Sequence, residues 1–336
     1  MKPFRSQLAS LTMAACLTLL VFLISLAIGV SGSVWNGKLT EMMPVIEVFR
    51  LPRTSVALMC GGLFGCAGSL TQNLFRNPLA SPSVLGIEST GSLFVTLATV
   101  FGITTIATPG ITTLAAIAGC IAAMLFVLTF VPPRGSMQRG TTRLVLGGLA
   151  LTTAGGSITS LMLSFALIQP GKTSTVLNWL LGSLAGRNWQ DVLHSLPFAA
   201  AGLILAWYTC PALDVLSLGT NVARTSGVDD RTWTRVSVMA VSFLVAAAIT
   251  AGGVLPFTGL VAPHVARNFT SNSRTHAFGS FCAGAILVML SDLIARNAAG
   301  AQELQTGVIT GVIGGPFFLW ALWRSPIEYR EKTDAS

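Results

Sequence analysis

Four charged residues stand where charge is costly, and their spacing is the first chemical signal in this chain. Arg50 and Arg53 lie three apart in RLPR, immediately before a glycine-rich apolar run. A guanidinium at such a site has two uses: it can lay its stem along apolar surface with its head among lipid headgroups, or it can offer a planar fork to carboxylates on an external partner. Asp292 lies deep in a second apolar run, where an acid is expensive and is kept for a partner or a function. Arg296 follows four residues later, so an ion pair across one helical turn is expected. That pairing competes with any external use of Arg296.

Other reactive-looking groups offer less. Gly171-Lys172-Thr173 is like the end of a phosphate-binding loop, but position 166 is alanine where that motif needs glycine, so no nucleotide site is expected. His264 follows Pro263 with no second histidine, cysteine or carboxylate near it, which argues against a metal and for a hydrogen bond to backbone freed by the proline. Cys16, Cys60, Cys66, Cys120, Cys210 and Cys282 lie in or beside apolar runs without ligand spacing, and read as small core residues. None of these groups has the neighbours that a nucleotide or metal site needs.

The elements that carry these residues follow from composition. Of 336 residues, 52% are apolar and only 10% charged, against about 25% charged in ordinary soluble domains. A membrane-spanning helix needs roughly 20 apolar residues. Segments of about that kind run over 8–31, 54–74, 90–108, 111–132, 144–168, 191–210, 233–251, 254–266 (short), 277–298 and 305–323. The expected fold is therefore all-α, a polytopic membrane protein with about ten transmembrane helices forming one domain over residues 1–336. The net charge of +8 is informative through its distribution. With the N-terminus in the cytoplasm, all Lys and Arg except Lys38, Arg50, Arg53, Lys172, Arg187 and Arg296 fall inside, as the positive-inside rule asks. Both termini are then cytoplasmic, and nucleic acid is not an expected partner.

Two kinds of interruption break the apolar pattern. Residues 72–91 contain Asn77, Pro78, Pro82 and Gly86, and residues 251–267 contain Pro256, Gly259 and Pro263. Backbone freed at membrane depth is tolerated only when packed in protein or lining a water-filled cavity, and interrupted segments in both halves suggest a transporter with a central path. Residues 211–235 form a polar stretch on the cytoplasmic side. Between Leu216 and Gly227 they fit two or three helical turns with Leu218, Val222 and Ser226 on one face. Such a helix rests on lipid, fits a groove of another protein, or merely connects. Gly61 with Gly65, and Gly307 with Gly311 and Gly315, mark smooth faces suited to close helix contact.

Taken together, RLPR, RNPLASPSVLG (76–86), LGSLAGRNW (181–189), LSLGTNVARTSGV (216–228), PFTGLVAPHVAR (256–267), SDLIAR (291–296) and ELQTGVITGVIGGPFFLWAL (303–322) resemble the membrane permeases of ABC importers for iron-siderophore complexes, haem and cobalamin. The resemblance runs in order over about residues 45–324. It implies a multi-pass permease of the bacterial cytoplasmic (inner) membrane that pairs with a second, identical or similar permease subunit. It further implies two cytoplasmic ATPase subunits, which hold the ATP and magnesium, and an extracytoplasmic substrate-binding protein. On this resemblance Leu216, Leu218, Gly219, Val222, Ala223 and Gly227 belong to the coupling element seated in the ATPase, and Arg50, Arg53 and Arg296 to the surface that docks glutamates of the binding protein. The chain itself is then not an enzyme and binds no cofactor or metal. An iron-siderophore complex is the leading cargo, with haem and cobalamin as alternatives. An ion-coupled secondary transporter is the rival outside the family, with Asp292 as its candidate coupling carboxylate.

Overall fold

The structure is a computed structural model that describes residues 4–29, 43–103, 109–131, 137–168, 171–298 and 303–324. Among them every regular element is helical. In chain order these are α1 (Phe4–Ala27), a π turn (Ile46–Arg50), α2 (Leu51–Phe75), a 3-10 turn (Pro82–Leu85), α3 (Ile87–Val100), α4 (Pro109–Thr129), α5 (Met137–Ala166) and α6 (Lys172–Leu180). Then come α7 (Trp189–Ser217), α8 (Thr220–Thr225), α9 (Asp230–Gly252), α10 (Thr258–Arg267), α11 (Ser273–Ala298) and α12 (Thr306–Arg324).

Each expected apolar segment contains a helix, although the far end of the third, 104–108, lies outside the described residues, as do both chain ends and most of the loop after α1. Seven helices (α1, α2, α4, α5, α7, α9 and α11) are long and apolar enough to cross a membrane. Two others fall well short of a full span. At about 1.5 Å per residue, the 14 residues of α3 and the 10 of α10 reach well under the roughly 30 Å of a hydrocarbon core. Both follow the proline- and glycine-rich breaks, which use up residues that would otherwise lengthen them.

α2 is the hub, packed against α11, α9, α10 and α7. Its small residues make that possible. A Cβ on Gly61 would overlap the Gly284 carbonyl of α11, one on Gly284 would overlap the Gly61 carbonyl, and one on Gly65 would overlap the Ser280 carbonyl. Further along, a Cβ on Gly68 would strike the Gly259 carbonyl of α10. The expected close contact of the Gly61–Gly65 face is thus made with α11. α9 supplies the other side of the core, with Val238, Val241, Leu244, Val245 and Ile249 fully buried. α3 lies against α4 and α5, outside this centre.

On α12, Gly307 fits against the Leu181 and Val254 carbonyls, and Gly311 faces Pro256 at ordinary contact distance. Gly315 has nothing within 4 Å. The smooth face therefore serves this chain at its start and is open further on.

Candidate functional site

Where α2 begins, five charged side chains form one cluster. Arg53 donates from Nε and Nη2 to the Asp292 carboxylate at 2.8 to 3.2 Å, and from Nη1 to both oxygens of Glu303 at 2.8 and 3.0 Å. Thr306 Oγ1 lies 3.3 Å from Asp292 Oδ1. The expected pair of Asp292 with Arg296 is present at 3.7 Å, but Arg53 is the nearer partner, from a different helix. Arg296 also gives Nη2 to the carbonyl and hydroxyl of Ser25 at 2.6 and 2.7 Å. Arg50 Nη1 donates to the Leu26 and Ala27 carbonyls at 3.1 and 3.3 Å. Those carbonyls end α1, where the helix leaves acceptors without partners and its dipole favours a cation.

This geometry gives the three arginines unequal exposure. Arg50 and Arg296 are only 5% and 3% exposed and are turned inward, so free forks on the outer face are not what the structure shows at these two positions. Arg53 lies at the rim, held between a fully buried carboxylate, Asp292, and a half-exposed one, Glu303.

At the opposite end, α7 does not stop where the polar stretch begins. It continues through Pro211 to Ser217, because a proline removes one donor without changing the apolar face, so the connecting segment is shorter than residues 211–235. α8 then follows Gly219, whose φ of 116° suits glycine. Leu216 and Ala223 are buried, and the Ala223 carbonyl accepts from Val228 N at 2.8 Å. They anchor the segment to the bundle and are not available as contacts for another protein. Leu218 and Val222 are 70% and 44% exposed and project away as the expected face. Gly227, in the left-handed region at φ 75°, turns the chain into α9.

A polar cavity of about 360 Å³ lies beside this segment, bordered by Gln72, Asn77, Pro78, Asp214, Arg267 and His276 among others. Arg76 donates to the Leu216 carbonyl, Arg267 Nη2 to Gln72 Oε1 at 2.8 Å, and Ser273 N to Asp214 Oδ1 at 3.0 Å. These bonds tie the end of α2, the end of α7 and the start of α11 into one frame.

Both interrupted segments meet around α2, with Gly259 against the Pro82 ring. Pro82, Gly86, Gly259 and Pro263 are buried in packing, so these residues take the protein-packed option for freed backbone and do not line an open cavity. Asn77 and Pro78 are exposed at the polar cavity, and Pro256 is partly buried. The Pro263 carbonyl is bonded by His276 Nε2 at 3.0 Å, while His276 Nδ1 meets Ser69 Oγ at 2.9 Å. A carbonyl only accepts, so Nε2 carries the proton and Nδ1 accepts from the serine. His264, to which the sequence assigned this task, instead meets Phe317 edge to face with centroids 5.7 Å apart. Among the described residues no group of His, Cys, Asp and Glu could hold a metal ion.

The polar wall that sequence reasoning missed is on α3 and α5. Thr153, Gly156, Ser157, Ser160 and Ser164 share one exposed stripe of α5, next to an exposed apolar stripe of Ile158, Leu161 and Phe165. Beside it opens a cavity of about 340 Å³ bordered by Ser83, Glu88, Ser89, Ser92, Thr152, Thr159 and Ser160. The signal was in the sequence as helically spaced hydroxyls within TTAGGSITSLMLS (152–164).

The chain is thus a multi-pass helical membrane protein with a tightly packed centre and differently equipped ends. The chain belongs to the FecCD transport family, whose model matches residues 10–324. It is 33% identical over 314 residues to the Fe(3+) dicitrate transport system permease protein FecD of Escherichia coli (strain K12), covering 90% of this chain and 94% of that one. It is 32% identical over 319 residues to the vitamin B12 import system permease protein BtuC of Salmonella arizonae, covering 92% and 94%. A solved metal-chelate type ABC transporter in an inward-facing conformation matches with a TM-score of 0.83 and 26% identity over 94% of this chain and 99% of that one. The chain is accordingly an ABC importer permease, which works with a permease partner and with separate subunits that hydrolyse ATP.

Proposed function

We propose that this permease carries a metal chelate, foremost an iron-siderophore complex, across the bacterial inner membrane, with haem and cobalamin as the alternative cargoes. The observation that carries the coupling part of this reading is the exposed pair Leu218 and Val222, on a short segment anchored by buried Leu216 and Ala223 between two long helices. An apolar pair at the end of such levers suits a groove on the ATPase, and its movement would pass through the bonded frame to the rest of the bundle. In this reading ten segments enter the membrane, both termini are cytoplasmic, and the hydroxyl stripe of α5, whose Thr153, Ser160 and Ser164 donate to their own helix and keep lone pairs outward, borders the path.

Docking of a substrate-binding protein centres on Arg53. Glu303 already occupies one edge of its guanidinium, so a glutamate from the binding protein would exchange with Glu303, while Arg50 and Arg296 hold the surface in shape. The test is uptake into proteoliposomes containing this chain, its permease partner and ATPase, with binding protein loaded in turn with ferric siderophore, haem or cobalamin. ATP-dependent uptake of one cargo, lost in Leu218→Asp with Val222→Asp while the folded chain persists, supports the reading. Unchanged uptake in that double variant removes the coupling role.

A further inference from the structure

We propose that the cavity between α3 and α5 is a cation-recognising station for the cargo, in which Glu88, Ser92 and Thr159 receive a positively charged group bearing N–H donors. This rests on the permease reading above and adds a charge class to the cargo, favouring a chelate with an ammonium-like arm over an anionic one.

Three polar groups meet at this cavity without partners. Glu88 makes no hydrogen bond or ion pair among the described residues, whereas Asp191, Asp214, Asp230 and Asp292, the other carboxylates away from open surface, all accept hydrogen bonds. Ser92 Oγ and Thr159 Oγ1, on residues only 4% and 7% exposed, likewise have no hydrogen-bond partner. A buried polar atom left unpaired is costly and calls for an explanation. The two buried hydroxyls and the partly buried Glu88 carboxyl around one opening are explained together by something that enters it.

Three more hydroxyls on the lining are already committed as donors, while Ser92 and Thr159 keep both a proton and lone pairs to offer. Ser89 spends its hydroxyl proton on the Gly86 carbonyl, Thr152 on the Gly148 carbonyl and Ser160 on the Gly156 carbonyl, which leaves oxygen lone pairs as what these residues can show to a ligand. Among the described residues no Lys or Arg borders the cavity. Glu88 lies in the first turn of α3, where the helix dipole favours its negative form while burial without a cationic partner opposes it, so an arriving cation is what would hold the charge. The lining is mostly apolar and holds one carboxyl with no cation beside it among the described residues, so a cationic donor that keeps Glu88 charged is welcome there and a carboxylate-rich chelate is not. Its volume of about 340 Å³ is at the small end of ligand sites, enough for one arm of a larger cargo.

The test uses the full chain with its permease and ATPase partners in membrane vesicles, carrying Cys16→Ser to remove the exposed native thiol and Ser160→Cys as the reporter. The reporter is modified at mildly alkaline pH by a trimethylammonium-bearing or a sulfonate-bearing methanethiosulfonate of matched size. With Glu88 present the cationic reagent is favoured, and in Glu88→Gln the cation-to-anion rate ratio falls about tenfold, the effect of one nearby charge at intermediate dielectric. Glu88→Asp retains most of the preference. A ratio indifferent to residue 88, with the reporter still reactive, overturns the cation station alone. Failure of both reagents to reach the reporter overturns the aqueous path along α5 as well.

Discussion

Two regions of this molecule are built from small residues and use them in opposite ways. Between α2 and α11, glycines bring backbones so close that no Cβ fits, and nearby charges such as Asp292 are paired. Between α3 and α5, Gly86 and Gly148 still pack tightly at one end, but further along small residues border open space: Gly156 has nothing within 4 Å, and Ser92 and Thr159 keep unpaired hydroxyls. Smallness in the first place serves fixed contact, and in the second it leaves room. A transporter needs both, a part that transmits motion without yielding and a part that lets cargo pass without gripping it everywhere.

Substitutions separate the two regions, and the largest effect is expected in the first. Asp292→Asn leaves Arg53 and Arg296 without their shared buried charge, and should cost about 3–5 kcal/mol, as for other buried pairs broken from one side. Thermal unfolding in detergent reads this as a large fall in Tm. Next comes Gly61→Leu, which must push the backbone of α11 aside and should cost at least about 1–3 kcal/mol, whereas Gly156→Leu should leave Tm unchanged and slow uptake. Equal losses of Tm from the two glycine substitutions would erase the distinction. His276→Ala removes the partner of Ser69 and of the Pro263 carbonyl, an expected loss of about 1–3 kcal/mol in the same assay. Among the paired groups the smallest stability effect belongs to Glu303→Gln, below about 1 kcal/mol because that carboxylate is half exposed. If Glu303 competes for Arg53, this variant nonetheless binds the substrate-binding protein more tightly, and surface plasmon resonance on the reconstituted permease measures it.

Much of the first region was legible in the sequence. Apolar runs gave each helix except α6 and α8, and the Gly61–Gly65 spacing marked a close contact, because membrane helices write their burial in composition. The charged cluster was legible only in part. Asp292 and Arg296 announced their one-turn spacing, but the nearer partner, Arg53, is 239 positions away, and no local rule reveals such a pairing. For the same reason the inward turn of Arg50 could not be read, since it depends on where α1 ends. The extent of α7 was misjudged at Pro211 because a shift to polar composition is not a helix end. In the second region, the stripe on α5 was present as a period of helical hydroxyls, and Glu88 as a lone acid after a break. Their meaning arises from the facing of α3 and α5, which only the fold supplies.

The measurement closest to the central claim compares two energy sources in the same proteoliposomes, containing this chain with its permease partner and ATPase and supplied with cargo-loaded binding protein. ATP inside the vesicles, with no ion gradient, should drive uptake that disappears in the Leu218→Asp, Val222→Asp double variant. Uptake that instead follows an imposed proton gradient without ATP would contradict an importer driven through the α8 segment, and would make Asp292 the residue to pursue.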